Sequence, residues 1–191
     1  MEIKNKKILA VVGMAGSGKS EAIDYIQNKT SWPKIYFGEP TFDRIKKEGW
    51  ELNNANEKKA RELNREEYGM GAHAILSLPK LKELVKENDI VLIESLYSWE
   101  EYKILKKEYG EAFQLIAIHA SPALRLKRLL ARKGNRPMNS EEEFIERDWS
   151  EIEKTDKGGP IAIADFPIIN ESGFDDLKEN LDIIINKFKT K

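Results

Sequence analysis

Residues 13–20 carry the clearest chemical signal in this sequence. They read G-M-A-G-S-G-K-S, the complete G-x-x-x-x-G-K-[ST] pattern of a phosphate-binding loop (P-loop). Glycines let backbone N–H groups converge on phosphate oxygens without obstruction by side chains. The amine of Lys19 can reach the β- and γ-phosphates, and the hydroxyl of Ser20 can ligate Mg²⁺. The predicted nucleotide-binding residues are Gly13, Met14, Ala15, Gly16, Ser17, Gly18, Lys19, Ser20 and Glu21.

Two arginines and a carboxylate are further candidates for phosphoryl chemistry. Moving a phosphoryl group requires positive charge around it and an in-line geometry, with little covalent help from the protein. Arg128 and Arg132 are four residues apart on a predicted helix and project from one face, although such charges also suit a solvated basic surface. Glu94 follows the apolar run 90–93, and a carboxylate at a strand end can hold Mg²⁺ or polarise an acceptor hydroxyl. Ser20 and Glu94 are therefore the predicted metal ligands.

Composition argues against several other kinds of chemistry. The 191 residues include no cysteine and only two histidines, so we expect neither disulfides, thiolate catalysis nor a dedicated zinc site. A net charge of −1 gives no basic excess for nucleic acid, and no apolar run approaches the length of a membrane span. We expect a cytoplasmic protein that binds a small-molecule nucleotide, without nucleic-acid or membrane partners. Composition leaves the oligomeric state open. We expect His119 to be a hydrogen-bonded hinge residue and assign His73 no role.

Short apolar runs alternate with amphipathic helical stretches along the chain. The predicted strands are residues 8–12, 34–37, 90–93, 113–119 and 166–169. The predicted helices are residues 19–28, 54–68, 71–87, 98–109, 121–132, 140–154 and 174–188, with Pro79 as a possible break. This alternation predicts an α/β fold whose parallel sheet is covered on both faces. We interpret residues 1–191 as one domain with insertions at 38–70 and 133–160, which could close over substrates.

Four segments resemble the nucleoside monophosphate kinase group of P-loop proteins. They are residues 12–21, 65–69 (REEYG), 117–122 (AIHASP) and 143–148 (EFIERD). The likeness covers almost the whole chain, and is closer still to an archaeal-type family of adenylate-kinase-related proteins often likened to dephospho-coenzyme A kinases. The resemblance implies a P-loop NTPase three-layer sandwich with a five-stranded parallel sheet and a helical lid. It also implies ATP and Mg²⁺ as cofactors, residues 38–70 as the acceptor-binding insertion and residues 133–160 as the lid.

The resemblance also implies roles for individual arginines. Of Arg128 and Arg132, one would stack on adenine and the other would contact phosphate. Arg136 would lie in the lid itself, and Arg147 would be a second lid arginine that points at the transferred phosphoryl group. Arg125 is expected to be structural. The predicted catalytic residues are Lys19, Glu94, Arg132, Arg136 and Arg147.

The acceptor side resembles the family less closely. Gly38-Glu39 is similar to the family's Gly-Asp turn, and the predicted substrate-binding residues are Glu39, Arg44 and Arg65. Glu94 is followed by S-L-Y-S, without the arginine that holds an acceptor phosphate in the family. The leading hypothesis is an ATP- and Mg²⁺-dependent kinase acting on a nucleoside monophosphate or a dephospho-coenzyme A-like acceptor. The alternative is a nucleotide-dependent regulatory ATPase or switch that has no small-molecule acceptor. The lid arginines favour transfer, and the incomplete acceptor motif favours the switch.

Overall fold

The described residues, 5–132 and 138–189 of a computed structural model, contain one five-stranded parallel sheet at the centre of the fold. Every neighbouring pair of strands is parallel, and the spatial order is β2-β3-β1-β4-β5. The strands are β1 (Lys7–Val12), β2 (Lys34–Tyr36), β3 (Ile90–Glu94), β4 (Phe113–His119) and β5 (Phe166–Ile169). The prediction of a parallel α/β sheet is therefore confirmed.

Helices connect the strands and cover both faces of the sheet. They are α1 (Lys19–Thr30), α2 (Glu39–Lys47), α3 (Asn54–Tyr68), α4 (Ala72–Glu87), α5 (Trp99–Tyr109), α6 (Pro122–Leu130), α7 (Glu141–Glu153), α8 (Gly158–Ala162) and α9 (Phe174–Lys189). The sequence analysis gave no separate helix for α2 or α8, and Pro79 lies inside α4 without ending it. Within the described part of the chain, no helix is both long and apolar enough to cross a membrane.

Alternate residues of β1 belong to opposite layers of the core, as the period of two along a strand requires. Ile8 and Val12 pack in the layer that contains α4 and α5. Leu9 and Val11 pack in the layer that contains α1 and α9. All four side chains are buried, so β1 is covered on both faces and the predicted three-layer sandwich is confirmed.

The strand order changes direction beside β1, which lies between β3 and β4. In parallel sheets, ligands bind outside the carboxyl ends of the strands at such a reversal. Val11 is paired with Glu94 of β3, and Val12 is paired with Ala117 of β4. The P-loop, which begins at Gly13, therefore starts between the carboxyl ends of two neighbouring strands.

Candidate functional site

The P-loop has a backbone conformation that depends on glycine. Gly13, Gly16 and Gly18 have φ angles of +150°, +78° and +105°, a region that residues with a Cβ rarely adopt. A Cβ added at Gly18 would lie 2.4 Å from the side-chain nitrogen of Asn170. Gly18 is also the N-cap of α1 and provides no side-chain cap. The first N–H groups of α1 are therefore available to an anion.

Two residues from outside the loop hold its backbone in place. Asn170 lies directly after β5, and its side-chain amide donates to the carbonyl oxygen of Ser17 at 2.8 Å. The backbone N–H of Asn170 donates to the carbonyl oxygen of His119 at 2.7 Å. Arg125 donates through Nη1 to the carbonyl oxygen of Ala15 at 3.2 Å. The sequence analysis missed Asn170, whose available signal was its position at the carboxyl end of a strand.

Lys19 lies in an electropositive part of the site. Its Nζ donates to the carbonyl oxygen of Met14 at 2.8 Å. The pKa of Lys19 is lowered to about 7, mainly by burial and also by the positive charges of Lys157 and Arg147. The carboxylate of Glu151 acts in the opposite direction and raises this pKa. Because two cations raise the cost of the Lys19 charge, an anion bound beside this amine would favour its protonated form.

A first cavity of about 1230 Å³ lies in front of the P-loop. Its lining includes predicted residues that are far apart in the sequence: Ala15, Gly16, Gly18, Lys19, Ser20, Glu21, Glu94, Arg128, Arg132 and Arg147. Gly13 and Ser17 are buried beneath the loop surface. This cavity is large enough for a nucleotide and has cationic groups around one uncapped helix end.

Ser20 and Glu94, the predicted metal ligands, line the same cavity. Glu94 also forms an ion pair with Lys34, whose Nζ is 2.8 Å from Oε2. No group of three or more His, Cys, Asp or Glu residues within the described ranges could hold a metal ion. A hydroxyl and one carboxylate still fit Mg²⁺, because this ion is usually held by one or two protein ligands together with phosphate oxygens and water.

Two predicted arginines, Arg128 and Arg132, line the α6 end of the cavity in different environments. Arg128 donates through Nη2 to the carbonyl oxygen of Asn170 at 3.0 Å, while its Nη1 is buried without a hydrogen-bond partner in the described structure. Arg132 is exposed at the edge of the cavity. Arg136 lies in the segment 133–137, outside the described residues. Buried polar groups are normally hydrogen-bonded, so the free Nη1 of Arg128 is a candidate donor to a ligand.

Helix α7 is tied to the P-loop through a buried ion pair. Arg125, predicted to be structural, donates through both terminal nitrogens to the carboxylate of Asp148, with an Nη1–Oδ1 distance of 2.9 Å. The same guanidinium lies 5.0 Å from the ring centre of Phe144. Arg147 is the neighbour of Asp148 and donates through Nε to Oε1 of Glu151 at 3.3 Å. The predicted lid arginine is therefore on a helix that is anchored beside the nucleotide cavity.

A second cavity of about 550 Å³ adjoins the first. Six residues line both cavities: Tyr36, Phe42, Asn54, Glu57, Tyr97 and Arg147. Arg147 therefore stands at the junction of the two cavities. The rings of Tyr36 and Phe42 are stacked with their centres 6.3 Å apart and form an aromatic part of the shared wall.

Arg65, a predicted substrate-binding residue, lines the second cavity. Its Nε is buried and has no hydrogen-bond partner in the part of the chain that is described, and burial lowers the pKa of this guanidinium. Arg61 lines the same cavity and pairs with Glu57 at 3.3 Å. The second cavity thus contains a cationic group whose hydrogen-bonding capacity is incompletely used.

Glu39 and Arg44, the other predicted substrate-binding residues, line neither cavity. The guanidinium of Arg44 pairs with Glu67 of α3 and, at 3.3 Å, with Glu48. Glu39 begins α2 and pairs with Lys80 of α4 at 2.6 Å. These two side chains link helices, and of the three predicted substrate-binding residues Arg65 is the one that lines the second cavity.

His73 also lines the second cavity, although its sequence position indicated no role. Its Nε2 is 3.0 Å from the hydroxyl of Thr41, and its Nδ1 is 3.7 Å from Oε1 of Glu101. Burial, followed by Arg65 and Arg61, lowers the pKa of His73 to about 4. Burial raises the pKa of Glu101 to about 7. A neutral imidazole and a hydroxyl therefore lie beside the cationic part of this cavity.

Comparison with known sequences identifies the family. A model of a protein family described as an AAA domain matches residues 9–148. The UPF0200 protein of Pyrococcus furiosus is 37% identical over 180 residues, which cover 94% of this chain and 96% of that protein. The UPF0200 protein of Methanocaldococcus jannaschii is 34% identical over 180 residues, which cover 94% of this chain and 89% of that protein. The chain therefore belongs to the UPF0200 family and carries an AAA domain.

Solved structures share the fold at low sequence identity. Dephospho-CoA kinase from Campylobacter jejuni superimposes with a TM-score of 0.57 and 18% identity, covering 96% of this chain and 98% of that one. Shikimate kinase from Bacteroides thetaiotaomicron superimposes with a TM-score of 0.57 and 12% identity, covering 96% of this chain and 98% of that one. A gluconokinase from Sinorhizobium meliloti superimposes with a TM-score of 0.53 and 15% identity, covering 97% of this chain and 98% of that one. The fold is therefore that of the P-loop kinases.

Proposed function

We propose that this UPF0200 protein is a Mg²⁺-dependent kinase that transfers the γ-phosphoryl group of ATP to a small anionic acceptor. The observation that carries this proposal is the contact between two cavities of different chemistry, with Arg147 in the wall of both. Phosphoryl transfer requires donor and acceptor to meet in line, with positive charge at the meeting point. A hydrolase that uses only water would not require the second cavity.

The donor is held by groups in the first cavity. Backbone N–H groups of the P-loop and of the first turn of α1 bind phosphate oxygens, and Lys19 contacts the terminal phosphates. Arg128 donates its free Nη1 to the nucleotide. Ser20 and Glu94 would hold Mg²⁺, which when bound neutralises charge on the β- and γ-phosphates.

Arg147 acts at the junction of the two cavities. Its guanidinium stabilises the charge that spreads over the transferred oxygens in the transition state, a role that is complementary to Lys19 on the donor side. Anchoring of α7 through Arg125 and Asp148 keeps Arg147 near the P-loop.

The acceptor carries an anionic group that binds Arg65. The buried, unpartnered Nε of Arg65 supports this assignment, because a carboxylate or phosphate oxygen is the natural partner of a guanidinium. The aromatic wall formed by Tyr36 and Phe42 suits a flat apolar portion of the same molecule. Nucleoside monophosphates and dephospho-coenzyme A both have these features and are the two acceptors we propose to test.

A regulatory ATPase is the second candidate, because Arg44 is paired with carboxylates and no arginine follows Glu94. The deciding measurement is ADP release from Mg-ATP with a panel of nucleoside monophosphates and dephospho-coenzyme A, with Lys19→Ala as the blank. Acceleration by one compound would support the kinase. Slow hydrolysis that no compound accelerates would support the regulatory ATPase.

Two arginines on neighbouring helices provide a matched test of the acceptor site. We expect Arg65→Ala to raise the KM of the acceptor at least tenfold, because it removes a charge-assisted contact. Arg44→Ala should leave this KM within about twofold, because Arg44 lines neither cavity. Equal effects of the two substitutions would remove Arg65 from the acceptor site.

A further inference from the structure

The guanidinium of Arg147 is held by a hydrogen bond from its Nε atom. Its Nε donates to Oε1 of Glu151 at 3.3 Å, one helical turn later on α7. No hydrogen bond from its terminal nitrogens Nη1 or Nη2 occurs among the residues that are described. A guanidinium fixed at Nε presents both Nη groups in a defined direction. The pair with Glu151 is therefore suited to orientation of Arg147.

Glu151 is in turn held by Lys157. The Nζ of Lys157 is 2.5 Å from Oε2 of Glu151, and its side chain is 2% exposed. This amine also lies 4.4 Å from the ring centre of Tyr97, which is in the wall shared by the two cavities. A buried lysine is costly unless an anion compensates it. One carboxylate thus joins a buried lysine to the exposed part of the site.

The chain around Lys157 is attached to the body of the fold, beside the loop that follows β3. The backbone N–H of Trp99 donates to the carbonyl oxygen of Thr155 at 3.4 Å. Gly159 packs so closely on the Trp99 ring that an added Cβ would be 2.8 Å from a ring carbon. These contacts on either side of Lys157 hold it in place beside the last turn of α7.

We propose that Lys157 and Glu151 are positioning residues that hold the guanidinium of Arg147 at the junction of the two cavities. The proposal rests on the proposed function, since it assigns Arg147 to the transferred phosphoryl group. Lys157 contacts neither ligand, because it lines neither cavity, and acts through Glu151. All three cations, Lys19, Arg147 and Lys157, interact electrostatically with Glu151, while Glu21 also acts on Lys19 and Asp148 on Lys157. The incoming phosphoryl oxygens add negative charge beside these cations.

A double-mutant cycle separates positioning from a simple structural role. The variants are Lys157→Met, Arg147→Ala and the combination, with the exposed Lys154→Met as the matched control. We expect Lys157→Met to lower kcat about tenfold or more while changing the KM for ATP less than about threefold, because misplacement of a transition-state group affects kcat. In the Arg147→Ala background, the same substitution should lower kcat less than twofold. Lys154→Met should behave like the unmodified protein.

Multiplicative effects of Lys157→Met and Arg147→Ala would overturn the proposal, as would an unchanged kcat in Lys157→Met. Thermal unfolding of every variant shows whether activity is lost only through unfolding. If Lys157→Met fails to fold, Glu151→Gln carries the same cycle. It keeps the side-chain shape but cannot accept from both Arg147 and Lys157 through equivalent oxygens.

A binding measurement keeps this test independent of the acceptor. We expect the β,γ-imido analogue of ATP with Mg²⁺ to bind more tightly than ADP, and both Lys157→Met and Arg147→Ala to reduce that preference by a similar factor of up to about threefold, the limit set above for the KM for ATP. If no acceptor in the panel accelerates ADP release but this preference falls as expected, the kinase proposal fails and the positioning role stands. If Arg147→Ala reduces the preference and Lys157→Met leaves it unchanged, the positioning role fails.

Discussion

Binding of ATP should take up a proton at Lys19. In the nucleotide-free protein, burial and the cations of Lys157 and Arg147 lower the pKa of Lys19 to about 7. A triphosphate beside the amine supplies negative charge, which raises this pKa again because an opposite charge favours the ammonium form. The complex therefore holds more protons than the free components wherever the free lysine is neutral.

The size of the effect follows from the pKa of Lys19, about 7 in the free protein. At pH 8 about nine-tenths of the free protein would have a neutral lysine, so binding takes up about 0.9 proton. At pH 6 the lysine is already charged and uptake falls to about 0.1 proton. Since the complex binds the extra proton, affinity falls as pH rises above 7, by up to about tenfold for each pH unit.

Calorimetry of a non-hydrolysable Mg-ATP analogue, in two buffers of different ionisation enthalpy, measures this uptake directly. At pH 8 the terminal phosphate is fully ionised, since phosphate groups titrate near pH 6, and contributes little. Lys19→Met should abolish the uptake while the fold is retained. Uptake below about 0.2 proton at pH 8 in the unmodified protein would refute the reasoning, and so would an equal uptake in Lys19→Met.

Two further substitutions test the anchoring of α7 and the metal site. Asp148→Ala leaves Arg125, whose side chain is 5% exposed, without its counter-ion; urea denaturation should show the free energy of unfolding lowered by about 3–5 kcal/mol, and a loss below about 1 kcal/mol would make the pair dispensable. Glu94→Gln should raise the Mg²⁺ concentration needed for half-maximal ADP release, because an amide is a weaker ligand than a carboxylate. An unchanged Mg²⁺ titration would exclude Glu94 as a metal ligand and leave it only its ion pair with Lys34.

The strands and the P-loop could be predicted because their signals are local. Apolar runs of five or so residues, bounded by polar residues, located the sheet, and α3 begins and ends at the predicted residues 54 and 68. The helices α2 and α8 were missed for local reasons too. Pro40 lies in the first turn of α2, where proline is tolerated. The run Gly158-Gly159-Pro160 has the composition of a hinge, yet Gly159 is needed for close packing on Trp99.

The sequence could not separate Arg65 from Arg44 as a cavity residue, because the difference depends on long-range partners. Arg44 and Arg65 are both arginines in a charged helical segment, and each has a glutamate about one helical turn away, Glu48 for Arg44 and Glu62 for Arg65. Arg44 is paired with Glu67, 23 residues away, while Arg65 faces a cavity beside His73 and keeps an unpartnered Nε. Only the packing of α2 against α3 decides which guanidinium is neutralised by the protein and which remains for a ligand.

The loop after β3 lacks the arginine expected from the resemblance and instead contacts the segment that follows α7. In the resembling kinases this loop supplies an arginine for the acceptor phosphate, whereas here it supplies Tyr97, whose ring lies against Lys157. A further cation in this loop would lie near Lys157 and Arg147, and like charges at short range are unfavourable. We therefore expect the anionic group of the acceptor to bind Arg65 of α3 rather than a residue at the carboxyl edge of the sheet.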